Sequence, residues 1–565
     1  MLCLLYGYPE ENRFKIHQRL AGVYENMKDW KNAILSLQNL LSSIQTSNLT
    51  PDLRIKMRKE IQTKITYLQS LPDTQPKPYS FSGYELDTRH PEFSSLCGSV
   101  RVEKVEGKGR CAISRTRLAP GTLVAQEEAA ASVLYIPKIN THCWICQNYT
   151  MVPYPCTDCP AIYCSLACFN KPRNRFECQL VCSGILDVVG VKECQLASNL
   201  QLAFSLITGV SPDQHAGVLA GLLKEPGDEP VHNQVQEDGK PVHIQVQEDD
   251  KLVHNQVHED VQKRAHEREV LNKIEETELV ISTGPKETVE IHSEELKETY
   301  NKIHNLQEHI DSMNQEDLLS SGLTLLHWIL VSGYSEESVI SSDYLHLCIQ
   351  YLGIIIPNCH ATFQLESSNT DASSMSMVGL ALFPDVASTF NHSCDPNTFV
   401  VDVGQEQLTI TSRCIEEGEE ITQVYYGYYA DTDKGERQEK LEKKYNFICT
   451  CLACQFDYPT SAELLSETTF LNTSPEKLKS PLTVEQLTLL DNQNSRFRDQ
   501  ISECLQNKNL KQALAITKDR LKLISDNIRS PHALLVVGMI SLVRYAWILF
   551  GRKSKAFKPK LELFF

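Results

Sequence analysis

Four close pairs of cysteines between residues 143 and 182 constrain the fold of this chain more than any other feature. Two or three residues separate the members of each pair, which are Cys143 and Cys146, Cys156 and Cys159, Cys164 and Cys168, and Cys178 and Cys182. Eight thiolates at such spacings are enough for two tetrahedral zinc ions. A site closed by four cysteines leaves no position for a reacting water molecule, so we expect both ions to be structural.

A second cysteine-rich stretch covers residues 394–454. Its first cysteine lies in the sequence Phe-Asn-His-Ser-Cys-Asp-Pro-Asn at 390–397, and Cys449, Cys451 and Cys454 follow as C-x-C-x-x-C. In an intracellular chain, such spacings indicate metal ligands rather than disulfides. The alternative for the first segment is a local turn beside an unrelated zinc knuckle.

Length, charge and hydropathy narrow the class of protein. A chain of 565 residues exceeds one hydrophobic core, so we expect three or four structural units. No apolar run approaches the length of a membrane span and no basic leader precedes one, which favours an intracellular protein without membrane contact. The net charge of −17 argues against broad nucleic-acid binding. No clear basic import cluster is present, so we expect residence in both nucleus and cytoplasm.

Residues 1–70 carry the apolar spacing of paired helices. The stripe has the spacing of a tetratricopeptide repeat and consists of Leu20, Ala21, Tyr24, Ala33, Leu37 and Leu40. A generic helical hairpin with the same core is the alternative. One helical pair cannot bury its own apolar face, so we expect it to stack on neighbours and the chain to begin partway through a longer array.

Residues 71–98 are predicted to be a linker because proline, serine, aspartate and threonine dominate their first part. Strand-like alternation begins at 99, and the sequence Glu-Gly-Lys-Gly at 106–109 predicts a hairpin turn. Helical patterns occupy 183–224, 294–357 and 459–565. We expect an incomplete or atypical C-terminus, because the basic stretch from Arg552 ends abruptly.

Residues 225–293 are predicted to be a disordered insert. An eleven-residue polar and acidic unit occupies 230–240 and recurs at 241–251 and, altered, from Leu252. It has no aromatic residue that could anchor a core. We attribute its regularly spaced histidines to repeat expansion rather than to metal binding.

The Asn-His-Ser-Cys segment, the downstream Tyr425, the C-x-C-x-x-C motif and the paired cysteines at 143–182 together resemble the SET and MYND domain-containing family of protein-lysine methyltransferases. The resemblance implies an α+β multidomain protein with a split, β-rich SET domain. Its parts would be the SET halves at 99–140 and 358–447, an interleaved MYND zinc finger at 141–182, insert helices at 183–224 and 294–357, a post-SET zinc segment at 448–458, and tetratricopeptide-like helices at 1–70 and 459–565.

The resemblance also implies a ligand set for three zinc ions. The MYND family interleaves its sites, so one ion would take Cys143, Cys146, Cys164 and Cys168, and the other would take Cys156, Cys159, Cys178 and Cys182. The family usually has histidine where Cys178 stands, which leaves Cys194 as an outside candidate. A third ion would take Cys394, Cys449, Cys451 and Cys454.

S-adenosylmethionine is the cofactor that the resemblance implies. Its binding residues would be Glu106, Gly107, Lys108, Asn358, Asn391, His392, Tyr425 and Phe447. The hairpin backbone at Gly107 would lie against the cofactor where a side chain would collide. Tyr425 is the predicted catalytic tyrosine, with an ordinary strand aromatic as the alternative because Tyr426, Tyr428 and Tyr429 lie beside it.

The resemblance implies a protein-lysine N-methyltransferase that acts on histone or other proteins. Methyl transfer from a sulfonium is an in-line displacement, so we expect alignment to supply most of the catalysis. The alternative is a catalytically weak adaptor that recruits proline-rich peptides or chromatin regulators through its MYND finger and helices. A zinc-finger DNA-binding factor is disfavoured by the acidic charge and by the absence of a recognition-helix pattern.

Overall fold

The computed structural model describes a mixed α and β protein through residues 9–26, 30–71, 86–150, 153–156, 158–171, 174–183, 195–209, 302–303, 306, 310, 313–334, 342–366 and 374–553. The predicted disordered insert at 225–293 lies outside the described residues. So do Cys194 and most of the predicted insert helices at 183–224.

Thirteen α-helices are present among the described residues. They are α1 (Arg13–Asn26), α2 (Trp30–Ser43), α3 (Pro51–Gln69), α4 (Leu166–Phe169), α5 (Asn174–Cys182), α6 (Gln195–Thr208), α7 (Gln315–Val331), α8 (Ser342–Asn358), α9 (Lys434–Tyr445), α10 (Leu452–Gln455), α11 (Val484–Gln506), α12 (Leu510–Asn527) and α13 (Ala533–Phe550). The last three lie within the region 459–565, where a helical pattern was predicted.

The described strands are β1 (Val100–Val105), β2 (Gly109–Ser114), β3 (Leu123–Glu128), β4 (Ala131–Leu134), β5 (Tyr154–Pro155), β6 (Ile162–Tyr163), β7 (Cys359–Glu366), β8 (Ser374–Leu382), β9 (Asn391–His392), β10 (Thr398–Val403), β11 (Glu406–Thr411) and β12 (Thr422–Gln423). The larger sheets have the orders β10-β11-β3 and β4-β8-β7. Each sheet therefore pairs a strand that precedes the first cysteine-rich region with a strand that lies more than two hundred residues further along the chain.

The C-terminal helices α11 to α13 pack on the β10-β11-β3 sheet. Leu514 and Trp547 share one apolar cluster with Val401 and Ile410 of the sheet. The indole Nε1 of Trp547 also donates a hydrogen bond to the Val400 carbonyl at 3.1 Å. These helices are thus part of the core that supports the strands.

The expectation that no apolar run approaches a membrane span was wrong for α13. This helix has 18 residues with a mean hydropathy of 2.1, so it meets the length and composition of a span, and 56% of it is buried within the protein. The apolar sequence is accounted for by packing, because α13 lies between α12 and β10 in the cluster just described.

Helices α1 to α3 form an apolar cluster of their own at the N-terminal end. Ala21 of α1, Ala33 and Leu37 of α2, and Ile61 and Ile65 of α3 are buried in it. The third helix therefore covers an apolar face that a single pair would leave exposed. The tetratricopeptide identity of this region stays a prediction.

The predicted linker at 71–98 is partly wrong. Residues 86–98 belong to the β-rich domain, because Leu96 is fully buried in a cluster with Val100, Val124 and Phe390. The backbone N–H of Cys97 donates to the Val124 carbonyl at 2.8 Å. Proline and serine content indicated a loop correctly but did not reveal that the loop packs into the core.

Leu96→Ala should destabilise the β-rich domain by about 2–5 kcal/mol, since a buried leucine is replaced by a cavity. Leu489→Ala, at a side chain that is 59% exposed, should change stability by no more than about 0.5 kcal/mol. Thermal unfolding followed by circular dichroism measures both. Equal melting temperatures for the two variants would mean that residues 86–98 behave as a linker.

Candidate cofactor site and cysteine clusters

The short strand β9 carries Asn391 and His392 into the centre of the candidate site. It pairs in parallel with β12, with Asn391 opposite Thr422 and His392 opposite Gln423. The N–H of Ser393 extends this pairing by donating to the Gln423 carbonyl at 2.9 Å. Parallel pairing of segments about thirty residues apart brings Tyr425, which follows β12, beside β9.

His392 joins this tyrosine to the third cysteine cluster. Its Nδ1 accepts a hydrogen bond from the Tyr425 backbone N–H at 2.9 Å, and its Nε2 lies 3.3 Å from Cys394 Sγ. Burial lowers the pKa of His392 to about 4, so the ring is neutral at neutral pH. A neutral imidazole has one donor and one acceptor nitrogen, so Nε2 carries the hydrogen and points it at the sulfur. Both nitrogens are therefore used within the protein, and contact of His392 with a cofactor stays a prediction.

Asn391 connects β9 to the β1–β2 hairpin. Its Nδ2 lies 3.2 Å from the Arg110 carbonyl, 3.0 Å from Cys111 Sγ and 2.9 Å from Glu420 Oε1. Glu420 Oε2 in turn pairs with Lys108 Nζ at 2.7 Å. Burial opposes ionisation of Glu420, but the hydrogen bonds from Lys108 and Asn391 hold its pKa below the ordinary value. Lys108 is thus linked to Asn391 through one carboxylate.

The hairpin tip needs glycine for conformational reasons. Gly107 and Gly109 have φ angles of +74° and +75°, which residues with a side chain rarely adopt. A Cβ added at Gly107 would meet no protein atom within 4 Å. The expected collision of a side chain at Gly107 is with a bound cofactor, so contacts within the protein do not explain this glycine. Glu106 is exposed beside this tip.

Aromatic rings surround His392 and Tyr425. The Tyr425 ring lies 5.4 Å from the His392 ring and 5.1 Å from the Tyr445 ring, while Phe447 lies 6.0 Å from His392. The Tyr425 hydroxyl donates to the Phe390 carbonyl at 2.8 Å. Burial raises the pKa of Tyr425 above its ordinary value, so the hydroxyl stays protonated at neutral pH. Sequence reasoning missed Tyr445, which stands two residues before Phe447.

Asn358 is the last residue of α8. Its Nδ2 donates to the Ile354 carbonyl at 2.7 Å. Helix α8 contacts α9, the helix that ends at Tyr445. The ammonium of Lys444 lies 4.8 Å from the Tyr445 ring centroid. Asn358 thus ends a helix that contacts the helix on which Tyr445 lies.

Glu127 holds the segment that leads into β9, and the sequence offered no signal for it. Its Oε1 accepts the Asp385 N–H at 2.7 Å, and its Oε2 accepts the N–H groups of Val386 and Ala387 at 2.9 Å. Burial raises the pKa of Glu127 to about 7, which these three donors only partly oppose. One carboxylate from β3 thereby orients the turn that ends at Phe390.

Three groups of cysteine sulfurs converge among the described residues. Sγ atoms lie within 4.8 Å of one another in the sets Cys143, Cys146, Cys164 and Cys168; Cys394, Cys449, Cys451 and Cys454; and Cys156, Cys159 and Cys178. Cys182 is absent from the last set, but its Sγ lies 3.8 Å from Cys178 Sγ. Convergence of four thiol sulfurs from separated segments is the donor set that zinc prefers.

Comparison with known proteins points to one family. The SET domain family matches residues 252–426, which include Asn391, His392 and Tyr425. Protein-lysine N-methyltransferase SMYD4 of Homo sapiens is 24% identical over 514 residues, which cover 80% of this chain and 58% of that relative. The chain thus spans less than two thirds of the length of this relative. The predicted order of modules along the sequence, with helices ahead of the SET domain, also resembles that of SET and MYND domain-containing protein 4.

Shorter stretches of this chain are similar to other protein-lysine methyltransferases. Histone-lysine N-methyltransferase SMYD3 of Mus musculus is 41% identical over 81 residues, which cover 14% of this chain and 18% of that relative. N-lysine methyltransferase SMYD2-B of Xenopus laevis is 25% identical over 188 residues, which cover 33% of this chain and 40% of that relative.

Glu127→Gln tests the carboxylate that orients the turn before β9. The pKa of about 7 in the folded protein exceeds the ordinary value of 4.5. Between these values the folded state binds a proton that the unfolded chain has lost, so stability falls as pH rises through this window. The free energy of unfolding of the wild type relative to the variant should therefore fall by about 1–3 kcal/mol across it.

Urea unfolding of both proteins at each pH measures this difference. Effects that are common to both proteins, such as protonation of the cysteine clusters, cancel in it. Glu128→Gln, at the exposed neighbouring position, is the matched control and should track the wild type. A pH-independent difference between wild type and Glu127→Gln would contradict a protonated Glu127.

Proposed function

Because the chain belongs to the SET and MYND domain-containing proteins, we propose that it is a protein-lysine N-methyltransferase that uses S-adenosylmethionine. The observation that carries the proposal is the connected set Asn391, His392 and Tyr425. Backbone pairing and a hydrogen bond of 2.9 Å hold Tyr425 beside the other two, although it lies 33 residues after His392.

The residues around β9 fit such a cofactor. An adenine ring stacks favourably on aromatic side chains, and Phe447 offers a partly buried ring beside His392. A sulfonium cation is attracted to aromatic faces, which Tyr425 and Tyr445 supply. When bound, S-adenosylmethionine supplies the activated methyl group.

Tyr425 is the proposed catalytic residue. Its hydroxyl is fixed by donation to the Phe390 carbonyl, so the oxygen lone pairs have a defined direction. Such an oxygen can orient a lysine amine and accept weak C–H···O contacts. The attacking amine must be neutral, whereas a free lysine side chain has a pKa of about 10.4. The buried aromatic surroundings disfavour its charged form, so no separate general base is required.

Three zinc ions are proposed at the three cysteine groups, with Cys182 as the fourth ligand of the second MYND site. The third group joins Cys394, two residues after His392, to a segment that directly follows Phe447. A metal ion there would hold the aromatic wall of the site against β9. Holding two separate segments of the chain together in this way is one use of a structural metal ion.

The proposed substrate is a lysine side chain of a histone or another protein. Recruitment of proline-rich peptides or chromatin regulators by the MYND finger, peptide binding by tetratricopeptide-like helices, and residence in nucleus and cytoplasm also belong to the proposal. The resemblance to family members supports each of them.

Asn391→Ala should weaken binding of S-adenosylmethionine by at least about 10-fold, because one polar partner of a charged ligand is removed. Isothermal titration of the zinc-replete protein measures this affinity. Asn472→Ala, at an exposed asparagine, is the control and should bind as the wild type does. A folded wild-type protein that binds no S-adenosylmethionine would contradict the enzyme and leave the adaptor as the function.

Tyr425→Phe should lower the methylation rate by about 100-fold through loss of alignment, with little change in cofactor affinity. Tyr426→Phe removes a hydroxyl that donates to Glu436 at 2.6 Å and should retain most of the rate. Single-turnover transfer of radiolabelled methyl groups to core histones measures both variants. Equal rates would exclude Tyr425 as the catalytic tyrosine.

A further inference from the structure

We propose that Arg437 is the buried cation that balances the charge of the third cysteine cluster and thereby holds its zinc ion. The inference rests on the metal site proposed for Cys394, Cys449, Cys451 and Cys454. It assigns to Arg437 a role through the cluster rather than in contact with substrate.

The guanidinium of Arg437 is enclosed by the protein next to the sulfurs. Its side chain is among the largest fully buried ones, with 1% of its surface exposed. Nη2 lies 3.9 Å from Cys454 Sγ, and Nη1 donates to the Thr432 carbonyl. Nε is buried without a hydrogen-bond partner. One side of this group therefore faces sulfur.

No ion pair among the described residues joins Arg437 to a carboxylate. A buried cation without a counter-charge is strongly unfavourable, so the compensating charge must come from another group. A group beside the guanidinium that can carry a negative charge is the sulfur of Cys454, which lies 3.9 Å from Nη2. A neutral cluster of four thiols would not supply this charge, whereas thiolates would.

Zinc bound by four thiolates carries two negative charges in excess, because the ion brings two positive charges against four negative ones. Arg437 offsets one of them at short range. Partners just outside the ligands are known to tune metal affinity, and their loss typically costs 10- to 100-fold. The position of Arg437 matches that role.

Helix α9 holds Arg437 in this position. Asp433 caps the helix by accepting the Glu436 N–H at 3.0 Å. The adjacent Gln438 side chain donates to the Cys449 carbonyl at 2.7 Å and accepts the Cys449 N–H at 2.9 Å. Gln438 thus holds the backbone of the ligand Cys449, and the preceding residue, Arg437, faces the sulfur of the ligand Cys454.

Gly427 makes room for the arginine. Its φ angle is +65°, and a Cβ there would lie 2.8 Å from Arg437 Cγ. This glycine stands between Tyr426 and Tyr428, in the loop that follows Tyr425. The loop, α9 and the cluster therefore meet around the Arg437 stem.

The test measures zinc loss from the full-length protein with a competing chromogenic chelator, and zinc content by plasma mass spectrometry. Cys451→Ser identifies the zinc ion that belongs to the third cluster, because the wild type should hold one more ion than this variant. Arg437→Met removes the charge but keeps the length of the side chain, and Arg437→Lys keeps the charge. Lys440→Met removes a positive charge from an exposed position on the same helix.

Arg437→Met should weaken retention of the third zinc ion by 10- to 100-fold, Arg437→Lys should recover part of that loss, and Lys440→Met should match the wild type. Equal behaviour of Arg437→Met and Lys440→Met would overturn the inference, as would equal weakening of all three zinc ions. If wild type and Cys451→Ser hold the same amount of zinc, the proposed metal site itself fails, which is a distinguishable result.

Discussion

One imidazole links the parts of the candidate site. His392 accepts the Tyr425 N–H at Nδ1 and donates from Nε2 towards Cys394 Sγ. Because burial keeps the ring neutral, each nitrogen has a single role, and the tyrosine and the cysteine cluster are held on opposite sides of one rigid ring. The orientation of Tyr425 therefore depends on the order of the third cluster, and the parallel pairing of β9 with β12 is what presents His392 to both.

Around this ring, two buried ionisable side chains orient segments that carry little regular structure of their own. Glu127 accepts three N–H groups of the turn before β9, and Arg437 faces the cluster sulfurs from α9. Buried ionisable groups are costly unless they are paired or hydrogen-bonded, so each also restricts the conformations that its neighbours can adopt. The site thus depends on polar contacts from β3 and α9, elements about three hundred residues apart, as well as on the residues beside the cofactor.

Much of the site followed from local patterns. The cysteine spacings indicated metal ligands, and the family resemblance implied their division into three sets; eleven of the twelve sulfurs converge in those three sets. The Asn-His-Ser-Cys segment and Tyr425 also lie together. Sequence reasoning did not predict the internal hydrogen bonds of the His392 ring, and it missed Glu127, Glu420 and Tyr445. Single carboxylates and tyrosines have no spacing that marks them, because their partners lie on distant segments.

The sequence by itself determined the features that depend on residues close together in the chain. These are the cysteine pairs, the helices of the C-terminal region and the glycine turn at Gly107. These depend on local geometry, such as ligand spacing, helical periodicity and allowed φ angles, which the order of residues encodes directly. Only the tertiary structure decided that residues 86–98 pack into the core, that the apolar α13 covers a sheet, and that Arg437 is buried against sulfur. Each of these outcomes depends on which distant segment packs against the residue. Burial and charge compensation arise between two surfaces that meet in the fold, so one stretch of sequence does not determine them.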